Sequence, residues 1–431
     1  MNQSPASRHA LAFIFVTVLI DAMGLGVIIP VWPKLLTILA HEGLHDAART
    51  GAYLAFAYAG MQFLFAPVLG NLSDRFGRRP VLIVSLVGIC IDYTIMGLAP
   101  TVGWLFLGRT LSGMAGASYS TAAAYIADVS SAERRAQSFG LIGAAFGVGF
   151  VVGPALGGLI GEYGVRLPFF LSAGLAALNA LYGLIVLKES LAKDHRRKFE
   201  LWRANPLGAV VVLRRFPLVL PLCGVLVLMR MAHDANPNVF SYYTMLKFHW
   251  TSAQVGYSLM AIGVVVSISY MTLPRLIRFT GERRAVYIGL AGGAISFLGY
   301  AFATQGWMIF AAMLPFALVS LVMPALNSIM SKEVGPQEQG ELQGAVTSLG
   351  SLTSVFAPLL LGNLFAFFSN PAATIYFPGA AFAAAALCLV AAAGLFALIR
   401  PHAYGTAAAP SAREPLPGTD DAGSERGLSE R

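Results

Sequence analysis

Charge is what the sequence has least of. Asp, Glu, Lys and Arg make up 12% of its 431 residues while 57% are hydrophobic, where soluble domains carry about 25% charged residues. That shortage excludes an ordinary soluble globular protein. Cysteine is scarce too. Cys90, Cys223 and Cys388 all lie inside apolar runs, which reads as packing, not as a disulfide framework or metal ligands. No ten-residue alternation of apolar and polar residues is present, so a membrane β-barrel is excluded. No Walker lysine loop points to ATP, and neither a nucleophile–base pair nor a metal-ligand spacing points to an enzyme.

Long apolar runs are what the chain does have. A hydrocarbon core of about 30 Å takes roughly 20 apolar residues to cross as helix, and helix satisfies every backbone polar group on the way. Runs near 10-30, 51-70, 80-99, 102-125, 137-161, 167-187, 217-240, 253-273, 285-303, 306-330, 341-367 and 373-399 predict an all-α integral membrane protein with twelve transmembrane helices. The first run follows a short N-terminus containing Arg8 and shows no small-residue cleavage site, so it reads as a retained helix. The net charge of +8 is distributed by topology: alternate loops carry Arg75, Arg78 and Arg79, then Arg134 and Arg135, then Lys188 to Arg215, then Arg275 to Arg284. Basic loops stay inside the cell, which places both termini in the cytoplasm and makes a nucleic-acid partner unnecessary.

One long polar segment, Lys188 to Pro206, divides the runs six and six. The expected organisation is an N-terminal six-helix bundle over 1-187, a cytoplasmic linker over 188-216, a C-terminal six-helix bundle over 217-400 and a disordered cytoplasmic tail over 401-431. The halves resemble each other at an offset of 204 residues. Gly77 falls on Gly281, and Gly140, Pro154 and Gly158 fall on Gly344, Pro358 and Gly362. Internal repeats of this kind are common in secondary transporters, whose halves rock about a site near the bilayer midplane.

A charge inside a span costs roughly 2.5 to 3.5 kcal/mol on insertion scales, so each is a functional candidate. Asp21 in the first span, Asp92 in the third and Arg109 in the fourth all lie about 10 to 14 Å below the same boundary, at about 1.5 Å rise per residue. They can form one cluster. Burial disfavours a charged carboxyl while a nearby cation favours it, so one of two carboxylates beside an arginine can carry an exchangeable proton. A structural salt bridge joining the three spans is the alternative. In the seventh span, "LMRMAHDANP" puts Arg230 and Asp234 four residues apart with His233 beside them. They form either a neutralised pair or a second proton or substrate site. Gln62 and Tyr119 are the amide and aromatic side chains singled out for a largely apolar pocket. The fifth span carries Gly149, Gly153, Pro154, Gly157 and Gly158, which allow close helix approach and interrupt the hydrogen-bond ladder.

These motifs carry a resemblance. "GNLSDRFGRRPVL", with Gly70, Asp74, Arg75, Gly77, Arg78 and Arg79, is similar to the signature between the second and third spans of the major facilitator superfamily. "LGRTLSG" around Arg109 and the fifth-span glycine–proline string resemble that superfamily's fourth-span motif and its antiporter motif. Within it the chain resembles the tetracycline–proton antiporters of Gram-negative bacteria. The resemblance implies the major facilitator fold, two pseudo-symmetric six-helix bundles acting as a monomer in the bacterial inner membrane. It also implies no cofactor beyond the proton gradient, with a drug-like substrate that can arrive as a metal chelate. Asp21, Asp92, Arg109 and Asp234 would then couple protons, and Asp21, Gln62, Asp92, Tyr119 and His233 would meet substrate. Val266 and Gly293 stand where those pumps have a histidine and an aspartate. The alternative function is a proton-linked or facilitated transporter of a small metabolite.

Basic residues alone would serve topology, so Asp74 asks for another role. A carboxylate at this end of a span can accept helix N-terminal amides or an arginine such as Arg134 in one conformation and lose them in another. The repeat places Arg278 where Asp74 stands, which makes the expected latch one-sided.

Overall fold

The computed structural model describes residues 5–116, 118–130, 135–192, 194, 196–197, 211, 213–216, 219–335 and 337–399, and every regular element among them is helical. The helices are α1 Pro5–Ile28, α2 Trp32–Ala40, α3 Leu44–Phe76, α4 Arg78–Leu98, α5 Val102–Ala115, α6 Ser118–Val129, α7 Arg135–Tyr163 and α8 Leu167–Val186 in the first half. The second half has α9 Leu220–His233, α10 Ala235–Phe248, α11 Ser252–Thr280, α12 Glu282–Phe302, α13 Gly306–Phe316, α14 Val322–Lys332, α15 Gln339–Phe368 and α16 Ala380–Leu398. Arg134, most of the linker and the tail lie outside the described residues.

Among the described residues, nine helices are long and apolar enough to cross a membrane, and α1 with α2, bent by 50°, makes a tenth. Pro30 and Pro33 fall at that bend, where each removes a backbone donor. The expected fourth and seventh spans are instead broken into short helices: α5 and α6 part at Gly116, and α9 and α10 part at Asp234. Apolar periodicity continues through such breaks, which is why the sequence reads each as one run.

The repeat is structural. Helices α4 and α12 each have 21 residues and begin 204 positions apart. Both follow a glycine with positive φ, Gly77 at 109° and Gly281 at 77°, a backbone region that a side chain would strain. Gly77 N–H donates to Ser73 O at 3.0 Å, and Gly281 N–H donates to Ile277 O at 2.8 Å. Arg79 and Arg283, the next equivalents, each donate to a carbonyl at the end of their half's last helix, Leu184 O and Ile399 O, both at 2.8 Å.

Two helix pairs make most of the contact between the halves, α7 with α11 and α3 with α15, and α10 adds smaller contacts with α3 and α2. Close approach is confined to the end opposite the 2–3 turn. A Cβ on Gly157 would sit 1.9 Å from Val27 O of α1, and one on Gly158 would sit 2.4 Å from Ser252 O of α11. On the other pair a Cβ on Gly362 would meet Ala52 at 2.5 Å. Further along α7 the space opens: Gly147 would meet only Ser267 Oγ at 3.7 Å, and Gly143 and Gly140 would meet nothing within 4 Å. Glu162, near the closed end of α7, accepts a hydrogen bond from Ala253 N–H of α11 at 3.0 Å and lies 3.6 Å from Lys34 Nζ. A carboxylate there complements the positive N-terminus of α11.

Overpacking a tight helix contact costs about 1–3 kcal/mol, so Gly158→Leu should lower the melting temperature of the purified protein by several degrees. Gly140→Leu should leave it unchanged; equal melting of the two variants would contradict the seam. Glu162→Gln removes the charge from the α11 N-terminus, a contact of about 0.3–1 kcal/mol. It should raise the population with these ends apart by roughly twofold, read as longer distances between spin labels at Tyr163 and Trp307.

Candidate functional site: a buried ion pair between two cavities

Asp92 is fully buried in α4, and Arg109 of α5 donates from Nη2 to its Oδ2. Gly108 makes the approach possible, because a Cβ there would lie 2.7 Å from Asp92 Oδ1. The guanidinium also lies against two rings, 5.2 Å from the Tyr58 centroid and 5.7 Å from that of Trp32. Aromatic faces replace part of the hydration a cation loses on burial. A buried pair of this kind is strongly destabilising to break, because removing one partner leaves a charge without compensation.

The pair borders a cavity of about 330 Å³ whose lining includes Asp21, Tyr58, Gln62, Tyr93, Arg109, Ser112 and Phe146. All of its lining residues come from the first half. Asp21, Asp92 and Arg109 are therefore gathered from three helices, as their common depth predicts. Gln62 donates to Gly116 O at 3.1 Å and to Tyr58 Oη at 3.4 Å, tying α3 to the break between α5 and α6. Leu25, Tyr58 and Arg109 also line a second cavity of about 200 Å³, which reaches across to Pro237, Asn238, Ser241 and Tyr242 of α10.

The remaining expected residues are placed elsewhere. His233 stacks on Phe316 at 6.0 Å and lines neither cavity. The helix ends at His233, but Asp234 caps it with helical dihedrals and its N–H donates to Arg230 O at 3.1 Å, so Arg230 and Asp234 stand on one face as their spacing predicts. Asp234 occupies the break, where its carbonyl accepts from Asn238 Nδ2 at 2.8 Å. The side chains of Tyr119 and Arg134 lie outside the described residues. Val266 packs on the large core cluster, and a Cβ on Gly293 would meet the side-chain ends of Leu389 at 2.6 Å and Val319 at 2.7 Å, so a side chain there would have to displace both. Tyr58, Tyr93, Ser112 and Trp32 are lining or flanking residues that sequence reasoning passed over. Tyr58 stands one turn before Gln62 and was legible by that spacing. Trp32 was not, because it lies beyond the bend in the first span.

The fifth-span glycine–proline string borders this site. Gly149 and Gly153 face α1, where Cβ atoms would lie 2.6 Å from Leu19 O and from Met23 O, on either side of Asp21. Pro154 presents its carbonyl to Gly256 of α11, whose Cβ would lie 2.3 Å away. The string therefore seats the Asp21 turn on one side and the second half on the other.

At the 2–3 turn, Arg78 pairs with Asp74 at 2.5 Å and with Asp128 at 3.2 Å, and donates to Ser73 Oγ at 3.1 Å. Glu189 accepts from the N–H groups of Arg78 at 2.8 Å and Arg79 at 3.3 Å, so a carboxylate offsets the positive end of α4. Ser190 Oγ donates to Asp128 at 3.1 Å and Arg197 N–H donates to Asp74 O at 3.1 Å, which docks this segment on the turn. Arg75 rests over the Phe76 ring at 5.1 Å, and Gly70 has open space around its Cβ position. In the second half Glu282 pairs with Lys332 at 2.7 Å and accepts from Ser328 Oγ at 2.6 Å. Positions 278, 282 and 332 are the equivalents of 74, 78 and 128. The whole triad is charge-inverted, Asp–Arg–Asp in one half and Arg–Glu–Lys in the other.

Comparisons with known proteins agree with this architecture. The family model described as Major Facilitator Superfamily matches residues 14–358 and 222–425. Tetracycline resistance protein, class C, of Escherichia coli is 41% identical over 362 residues, 84% of this chain and 90% of that protein. The class B protein of Escherichia coli is 35% identical over 81% of this chain and 87% of its own length. Multidrug resistance protein 2 of Bacillus subtilis (strain 168) is 30% identical over 80% of this chain and 85% of its own. Among solved structures, the human organic anion transporter MFSD10 superposes with a TM-score of 0.69 at 22% identity, covering 91% of this chain and all of that one. The nucleoside transporter NupG does so with a TM-score of 0.74 at 14% identity, covering 93% and 100%. These two likenesses speak to the fold. Family model and relatives together establish that the chain belongs to the Major Facilitator Superfamily of membrane transporters, in the drug-efflux group that includes the tetracycline resistance proteins.

Proposed function

We propose that this chain exports an amphipathic drug-like compound in exchange for protons, with tetracyclines the leading substrate. The observation that carries the reading is the buried Asp92–Arg109 pair on a cavity shared with Asp21. A proton taken by Asp92 neutralises its carboxylate and releases the guanidinium to the remaining carboxylate on the cavity, Asp21. A cationic or metal-chelated substrate held at Asp21 is displaced by the same event, so proton and substrate occupy the site alternately. Protons supply the energy through their gradient, and neither ATP nor a resident cofactor takes part.

In this reading the chain crosses the inner membrane twelve times as a monomer, α5 with α6 and α9 with α10 counting as one broken span each. Both termini and the 2–3 turn face the cytoplasm, and the described conformation opens towards the cytoplasm. Asp74 then waits for closure, when α3 approaches the N-terminus of α15, while Arg78, itself paired with Asp128, holds it in place. Asp234 and His233 belong to the second half's share of coupling and substrate handling. The packed surroundings of Gly293 favour a second reading for the substrate alone, a compound other than tetracycline handled by the same machinery.

Everted membrane vesicles carrying a pH-sensitive dye test the proposal. Tetracycline should release protons from vesicles containing the native protein, and Asp92→Asn should reduce that release at least tenfold with insertion unchanged. Proton-linked transport that persists in Asp92→Asn would overturn the coupling role, and counterflow indifferent to pH would favour a facilitator. Asp74→Asn should insert normally and slow transport several-fold; a normal rate would return the turn to topology alone.

A further inference from the structure

The charges of the site lie in one half, whereas the second cavity bridges both. Its first-half wall holds Trp32, Tyr58, Phe150 and the shared Arg109, and its second-half wall is α10. Ser241 and Tyr242 of that wall are 5% and 3% exposed, and neither Ser241 Oγ nor Tyr242 Oη has a hydrogen-bond partner among the described residues. A buried hydroxyl without a partner costs about 1–3 kcal/mol, so two on one cavity wall call for a ligand or water that satisfies them. Gly51 of α3 makes room for one of them, since a Cβ there would lie 2.2 Å from Tyr242 Oη. The two cavities, about 330 and 200 Å³, meet at Leu25, Tyr58 and Arg109. Joined, they fall within the range of about 300–1,000 Å³ that drug-sized ligands occupy.

We infer that the second cavity is a specificity subsite for the oxygen-bearing edge of an aromatic substrate, with Ser241 and Tyr242 as its hydrogen-bonding determinants. The inference rests on the export reading above and divides the substrate between the halves. The cationic or chelating end lies near Asp21, and the aromatic body lies among Trp32, Tyr58 and Phe150 with its hydroxyl or carbonyl edge on α10. Discrimination follows from chemistry: a site built to hydrogen-bond a ligand oxygen rejects a ligand that lacks it, while ring contacts accept any flat body. Neither hydroxyl touches the ion pair, so the subsite selects without altering the charge balance.

Two probes test this on purified full-length protein in nanodiscs, tetracycline with an oxygenated edge and ethidium, a planar aromatic cation without oxygen. Ser241→Ala with Tyr242→Phe should weaken tetracycline binding about tenfold and leave ethidium binding within twofold. Gly51→Ala, which pushes on the Tyr242 hydroxyl, should weaken tetracycline alone and in the same direction. A native protein that binds neither probe would remove the export reading and the subsite with it. Binding of either probe by the native protein with no selective loss of tetracycline in the double variant would leave the export reading standing and overturn the subsite.

Discussion

The close contact of α7 with two helices at once is the constraint on which the rest of the structure depends. Helix axes in membranes approach most closely where side chains vanish, because neither lipid nor water drives the association. Along α7, Gly149, Gly153 and Gly157 bring α1 in, and Gly158 with Pro154 brings α11 in across the halves. Asp21 therefore stands on a helix pinned to the interface between bundles. A shift of the second half is felt at the Asp21 turn through backbone contact, without a chain of flexible side chains between them. The fifth-span string is packing that ties the Asp21 helix and the second half to one element.

The ion pair uses that rigidity. Arg109 has a carboxylate and two aromatic rings around it, and a missing side chain at Gly108 lets Asp92 lie against its helix. Such a pair is a poor source of stability, since apolar residues of the same volume would serve as well or better. Charge held at this depth is costly, which is what marks the pair as a functional candidate. The Tyr58–Gln62 contact and the bond from Gln62 to Gly116 then fix the cavity wall at the point where the fourth span breaks.

Much of this was legible in the sequence, and the limits are instructive. The depth of Asp21, Asp92 and Arg109 along their runs was enough to bring them together, because a helix fixes rise per residue. The offset between Gly77 and Gly281 was enough to find the repeat, and the structure has positive φ and the same backbone bond at both. Breaks at Gly116 and Asp234 were hidden, since apolar character does not change across them. Trp32 was hidden for a different reason: it reaches the site only because the chain bends before it. The charge-inverted triad was half visible. Arg278 opposite Asp74 could be read from the offset, whereas Lys332 opposite Asp128 needed the pairing with Glu282 to give it meaning.

The first cavity draws every lining residue from the first half, and this has a consequence for how such a protein changes over generations. A buried charge cluster is difficult to alter, because each charge must balance the others. The wall that α10 contributes to the second cavity carries no charge, so a substitution there leaves that balance intact. Substitutions there can reshape the second cavity while the buried ion pair is left as it is. The wall of the second cavity is thus the adaptable part of this architecture, and the buried charge cluster its fixed part.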